Sequence, residues 1–160
     1  MKESYRGQCN LHLHFAKKTL QMLGVEADET WGGHYERAMV ESVLWQLQLA
    51  YQAHLADMLT QQPKFPQTLP SGRVFTARDF KASELPPEIL ELADREIHSH
   101  WLQLITRYSY IKHPADISMS SPNLIAREQP ADWPQANELE ASLGELTELV
   151  ARHRATLMEY

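Results

Sequence analysis

The amino-acid sequence predicts an all-α fold: a four-helix bundle, ordered up-down-up-down, with two long proline-rich connections. Three observations lead there. Apolar residues recur at steps of three and four from Val40 to Leu59, in a stretch without glycine or proline, which marks a long amphipathic helix. Three further segments carry the same period. Between helical segments, residues 62–86 and 113–134 are punctuated by prolines (Pro63, Pro66, Pro70 and Pro86; Pro114, Pro122, Pro130 and Pro134) and read as connections. The 160 residues, 43% of them hydrophobic, suit one domain over residues 1–160 with a core that needs no staples.

The first helix is expected from Ser4 to Leu23. The Ser4 hydroxyl suits an N-cap, and Gly24 suits a stop because glycine accepts the left-handed conformation after a helix. Tyr5, Cys9, Leu13, Ala16, Leu20 and Leu23 form its stripe, widened by Leu11, Phe15 and Met22. Gly7 weakens its first turn.

The second helix follows the Trp31-Gly32-Gly33-His34 turn, with Asp28 or Thr30 as cap and Gly33 as the latest start, and it ends before Pro63. Its buried stripe is Val40, Val43, Leu44, Leu47, Tyr51, His54, Leu55, Met58 and Leu59. Arg37 and Glu41, spaced i, i+4, support the outer face by about 0.3 kcal/mol. The connection over 62–86 is long for a bundle. It is expected to pack through Phe65, Phe75 and Phe80, with one helical turn over Thr76–Lys81 capped by Thr76.

The third helix starts at Pro86-Pro87, where proline fits the first turn, and runs to Ile111. Ile89, Leu90, Ala93, Ile97, Trp101, Leu104, Tyr108 and Ile111 are assigned to its inner face. His113-Pro114 stops it, because a residue before proline avoids the helical region. Within 113–134, Asn123-Leu124-Ile125-Ala126 is expected to lie extended over the bundle. The last helix runs from Gln135 to Tyr160 with Leu139, Leu143, Leu146, Val150, His153 and Leu157 inward. Gly144 weakens it by about 1 kcal/mol relative to alanine.

Composition narrows the function classes. A formal net charge of −6 and a longest basic run of only Lys17-Lys18 disfavour a nucleic-acid partner, because phosphates are bound by clustered Lys and Arg. No apolar run approaches the ~20 residues of a membrane span. Met1 to Arg6 lacks the apolar stretch of a signal peptide, and the single Cys9 excludes an internal disulfide, so a cytoplasmic setting is expected. Cys9 has no activating neighbours in sequence and reads as a small buried helical residue.

Eight histidines are the compositional oddity. His12 with His14, and His98 with His100, look like ligand pairs. Residues two apart in a helix point about 200° apart, so neither pair chelates. A cross-helix site stays open: in an up-down-up-down bundle, His12, His54, Asp94, His98 and His153 fall in one band of height. Imidazoles and a carboxylate are ligands for Zn²⁺ or Fe²⁺. The competing reading makes His54 and His153 half-buried core residues held by hydrogen bonds. Neither an HExxH nor an ExxH motif is present.

Arg107 followed by His113 resembles the loose Arg-x(4–6)-His signature of HEPN domains. Those are helical bundles, some of which cut RNA. That resemblance implies His113 as acid or base and Arg107 as stabiliser of phosphate charge. The plainer reading sets His113 against the dipole of a helix end. No Ser/His/Asp grouping, phosphate-binding glycine loop or CxxC occurs. Tyr108 and Tyr110 read as packing residues, and Trp31 and Trp133 as anchors for a partner or covers for the core ends.

Three stretches resemble a family of uncharacterised small bacterial proteins, a domain of unknown function. They are Tyr5-Arg6 with Asn10, Phe15 and Ala16; Glu36-Arg37 through Glu41-Ser42-Val43-Leu44 with Tyr51 and His54; and Pro87-Glu88 through Trp101-Leu102. The resemblance spans about residues 4–111. It implies a small cytoplasmic helical protein and transfers no site. The expected function is a non-enzymatic protein-interaction or structural module, forming a weak homodimer or binding another protein, with no cofactor. The cross-helix metal site and the HEPN-like RNA-directed module stand as alternatives.

Overall fold

The computed structural model of the chain describes residues 3–23, 34–61, 69, 74–80, 85–111 and 133–158. The apolar periodicities form helices α1 (Tyr5–Met22), α2 (His34–Thr60), α3 (Pro87–His98), α4 (His100–Arg107) and α5 (Ala136–Leu157), with a 3-10 turn at Ala77–Asp79. The described residues contain no strand, so the fold class is all-α. None of these helices is long and apolar enough to cross a membrane. The expected roles of Gly24, Asp28, Thr30, Trp31, Gly33, Phe65 and residues 123–126 lie outside the described residues.

α2 is the central element. Every position of its predicted stripe is buried, and from Ala53 to Leu59 burial continues around the whole circumference. Three buried polar side chains reach from this part of α2 to neighbouring helices: Tyr51, His54 and Asp57. Residues three apart on a helix are turned by about 60° from one another, so the three fan out toward different neighbours. Tyr51 Oη donates to Glu96 Oε1 of α3 at 2.5 Å, His54 Nε2 meets His153 Nδ1 of α5 at 3.0 Å, and Asp57 Oδ2 accepts from Arg6 Nε of α1 at 3.4 Å. Each buried polar group thus avoids the cost of lying unpaired, and in doing so pins one surrounding helix.

α1 begins as predicted, with the Gly7 N–H donating to the Ser4 hydroxyl at 3.0 Å. It runs antiparallel along α2, since Arg6 meets Asp57, His12 meets Gln46 and Tyr35 reaches the carbonyl of Met22. Cys9 and Ala16 are its fully buried residues. The small side chains let the two helices approach. Leu11, Phe15 and Met22 face outward.

The predicted third helix is two helices. Ser99 adopts an extended conformation (φ −101°, ψ 116°) and separates α3 from α4, and the helix ends at Arg107 rather than Ile111. A break frees backbone carbonyls that need donors. Side chains of α4 supply them: Gln103 Nε2 donates to the Ile97 carbonyl and Arg107 Nη2 to that of Glu96 at 3.3 Å. The extended residue also shifts the helical phase. The buried faces are Glu88, Ile89, Leu92 and Glu96 on α3 and Leu102 and Ile105 on α4, whereas Leu90, Ile97 and Ile111 of the predicted stripe are exposed. α5 keeps its predicted face, with Leu139, Leu146, Val150 and His153 buried.

Glu96 is fully buried and ties the 3-10 turn to α2 and α3. Besides the Tyr51 hydroxyl, its carboxylate accepts the Ala77 N–H at 2.6 Å, the Arg78 N–H at 3.3 Å and Arg78 Nε at 3.2 Å. Thr76 precedes the turn, as expected, and its N–H donates to Asp79 Oδ2 at 2.9 Å. Phe75 and Phe80 meet edge to face at 5.7 Å and close the adjoining core. Glu96→Ala strands four donors and is expected to cost about 3–5 kcal/mol in guanidinium unfolding. Hydrogen exchange at Ala77 and Arg78 should lose its protection in that variant, and Glu96→Gln should lose less of both.

Candidate functional site

The most unusual polar arrangement is a line of groups running inward from the surface between α3, α5 and α2. Glu91 of α3 is partly exposed and is held by Arg152 Nη1 at 3.0 Å and Arg95 Nε at 3.0 Å. Its Oε2 lies 2.9 Å from His153 Nε2, and His153 Nδ1 lies 3.0 Å from His54 Nε2. The two imidazole planes differ by only 22° with centres 5.2 Å apart. The rings therefore lie almost in line, with the hydrogen bond passing from edge to edge.

Proton positions follow from the partners. A carboxylate only accepts, so His153 carries its proton on Nε2 and offers a lone pair at Nδ1. His54 must then donate from Nε2, which leaves Nδ1 as a bare acceptor. That atom is buried and has no hydrogen-bond partner among the described residues. The chain of bonds ends on an open lone pair in the core.

Electrostatics keep the inner groups neutral and the outer one charged. The Arg152 guanidinium, bonded to Glu91, holds its carboxyl down at about 2 against an opposing desolvation cost. Burial pushes His54 down to about 3, a shift to which the neighbouring His153, Arg154 and Arg6 add. Burial also lowers His153, and the bond to Glu91 resists that shift.

Of the five residues proposed for a metal centre, the structure brings His54 and His153 together and leaves the other three apart. His12 Nδ1 faces Gln46 Oε1 at 2.7 Å, between α1 and α2. Asp94 and His98 pair with each other on the exposed side of α3, because both stand away from the face carrying Leu92 and Glu96. No group of three or more His, Cys, Asp or Glu side chains among the described residues is arranged to hold a metal ion. The nitrogens of the histidine pair are directed along a line of hydrogen bonds, whereas a metal needs lone pairs converging on one point. Periodicity alone does not single out Glu91: its i, i+4 spacing to Arg95 is legible in the sequence, but the predicted inner face of Ile89, Leu90, Ala93 and Ile97 turns it outward.

Arg107 is engaged with the Glu96 carbonyl, and His113 lies outside the described residues. Tyr108 donates to Glu41 Oε1 at 3.1 Å and packs on Tyr110, which packs on Trp45. Trp133 lies 6.0 Å from the guanidinium of Arg37, and Trp31 is outside the described residues. Burial pushes the Cys9 thiol up to about 11, which removes the thiolate needed for nucleophilic chemistry.

A groove of about 770 Å³ lies between the second half of α1 and α5. Its floor is apolar, with half-buried Leu13, Leu20, Leu23 and Leu143. Lys17 stands on the α1 wall, and Glu140 and Glu148 on the α5 wall. Gly144 lies in the α5 wall, and a Cβ built there would meet nothing within 4 Å. No protein-family model matches the chain, and neither a curated protein nor a solved structure does.

The pH dependence of stability tests the relay. Above about pH 6.5 both imidazoles are neutral folded and unfolded, so their full contribution is present. Their folded values are depressed, so the unfolded chain takes up protons first and stability falls as pH drops from 6.5 toward 3. Glu91 adds loss in a second window, from 4.5 down to about 2. Each imidazole contributes a slope of at most about 1.4 kcal/mol per pH unit. Urea unfolding at pH 7, 5.5 and 4.5 is expected to show this decline in the wild type and a much flatter profile in His54→Leu/His153→Leu. An equally steep profile in the double variant rejects the assignment.

Proposed function

We propose that this chain is a non-enzymatic protein-interaction module built on a four-helix bundle. Its rods run up-down-up-down, with α3 and α4 acting as one rod broken at Ser99. The antiparallel bonds between α1 and α2, and those from α5 to α3 and α4 through Arg152–Glu91 and Ser142–Trp101, support that order. The single observation that carries the functional reading is the groove between α1 and α5. It combines an apolar floor, walls of opposite charge and a mid-helix glycine whose missing side chain leaves room for an occupant. A concave apolar strip of this kind suits a helix laid along it.

The buried relay fits a structural role in this reading. His54 and His153 do not line this groove, and the lone pair of His54 Nδ1 lies buried in the core. The relay instead fixes α5 against α2 and α3, and so sets the position of one groove wall.

The reading is tested by placing a photo-crosslinking benzoylphenylalanine at Thr147, on the groove, and at Met158, an exposed control position. Irradiation in cells is expected to yield a protein adduct from position 147, and Leu143→Asp is expected to suppress it by at least fivefold. Equal adduct yield at both positions, or none at 147, overturns the proposal.

A further inference from the structure

We infer that the occupant of this groove is the same groove of a second copy of the chain, related by a two-fold axis that runs along the helices. The inference rests on the interaction-module reading above and names its partner.

The charges select the axis. Two copies of one face can meet about an axis along the groove or about one across it. An axis across the groove sets α1 against α1 and α5 against α5, so each wall faces its own sign. An axis along the groove exchanges the walls, so the α1 wall with Lys17 faces the α5 wall with Glu140 and Glu148 of the other copy. Opposite charges then meet, and like charges do not. Such an interface is closed and self-complementary.

Height along the helices agrees with that axis. Arg154 of α5 bonds Asn10 Oδ1 at 2.7 Å and the Arg6 carbonyl at 3.4 Å, so α1 and α5 run antiparallel in a fixed register. In that register Leu20 stands within about a turn of Gly144, and Lys17 within about a turn of Glu148. A two-fold axis along the groove preserves height. Leu20 of each copy is thereby set opposite the open space at Gly144 of the other, and Lys17 opposite Glu148. The open space at Gly144, which none of the described residues fills, thereby receives the Leu20 side chain.

The exposed strip Leu11, Phe15 and Met22 is a poorer occupant. At 100° per residue it lies on the side of α1 opposite to Leu13, Lys17 and Leu20. A strip on one side seated in a groove on the other makes a head-to-tail contact, which builds rings or open chains and not a two-fold dimer.

Sedimentation equilibrium of the full chain from 1 to 500 µM tests the inference. A monomer–dimer equilibrium is expected, weakening as salt is raised. Gly144→Phe is expected to reduce association at least tenfold while leaving the monomer's thermal melt intact, because its side chain enters open space. Lys17→Glu and Glu148→Lys should each weaken association at least tenfold, and Lys17→Glu/Glu148→Lys should restore it. A monomer throughout, an open series of oligomers, a dimer insensitive to these variants, or failure of the double variant to rescue would each overturn the inference. Mass spectrometry of the adduct at position 147 separates the two levels. An adduct of twice the chain mass supports this partner. An adduct of another mass with a monomeric chain overturns it and leaves the interaction-module reading standing.

Discussion

The structure depends on the burial of polar groups in its central helix. The second half of α2 is enclosed on all sides, yet it carries Tyr51, His54 and Asp57. A polar atom in such surroundings must find a partner or impose a penalty comparable to much of a domain's net stability. Because these residues are three apart, each points to a different neighbour, and the partners are Glu96, His153 and Arg6. Apolar packing brings helices together but tolerates sliding and rotation. Three directional bonds from one rod to three others remove that freedom, since each is satisfied only at one height and one rotation.

The consequences spread outward from these bonds. Glu96 accepts the Tyr51 hydroxyl and also holds the 3-10 turn, so the long connection after α2 is fastened to the core at one carboxylate. The Ser99 break is stabilised by side chains of the helix that follows it, and it lets α3 face the turn while α4 faces α5, both packing on α2. His153 is positioned by His54 from within and by Glu91 from outside. Its neighbours Arg152 and Arg154 then reach α3 and α1. One short stretch of α5 is bonded to three other helices, and the register it sets determines which residues face each other across the groove.

The candidate interface and the buried relay are therefore two ends of one arrangement. The relay is inert as chemistry because its free nitrogen is enclosed and its imidazoles are held neutral. It is useful as geometry because it locks α5 in place. The groove is where the described residues leave apolar surface, open space and separated charges unmatched. A glycine in the middle of a helix weakens that helix, and none of the described residues contacts the space it leaves. Function is more readily sought at such unmatched features than at the satisfied ones, however polar.

The sequence by itself determined the helical class, the extents of α1, α2 and α5, and the face that each of these buries. These follow from local periodicity, capping and proline placement, which a chain carries wherever it folds. It also marked His54 and His153 as inward residues at a shared height. Only the tertiary structure decided that they bond to each other, that Glu91 and not Asp94 joins them, and that the third predicted helix breaks at Ser99. Glu96 illustrates the reason. A glutamate in an amphipathic pattern reads as a solvent-facing residue, and its burial is paid for by donors from Tyr51, Ala77 and Arg78, distant in sequence. Once that face is turned inward, the phase of α3 changes and every neighbour along it changes with it. Pairings of this kind depend on the relative rotation and height of whole helices, quantities that no single segment of sequence contains.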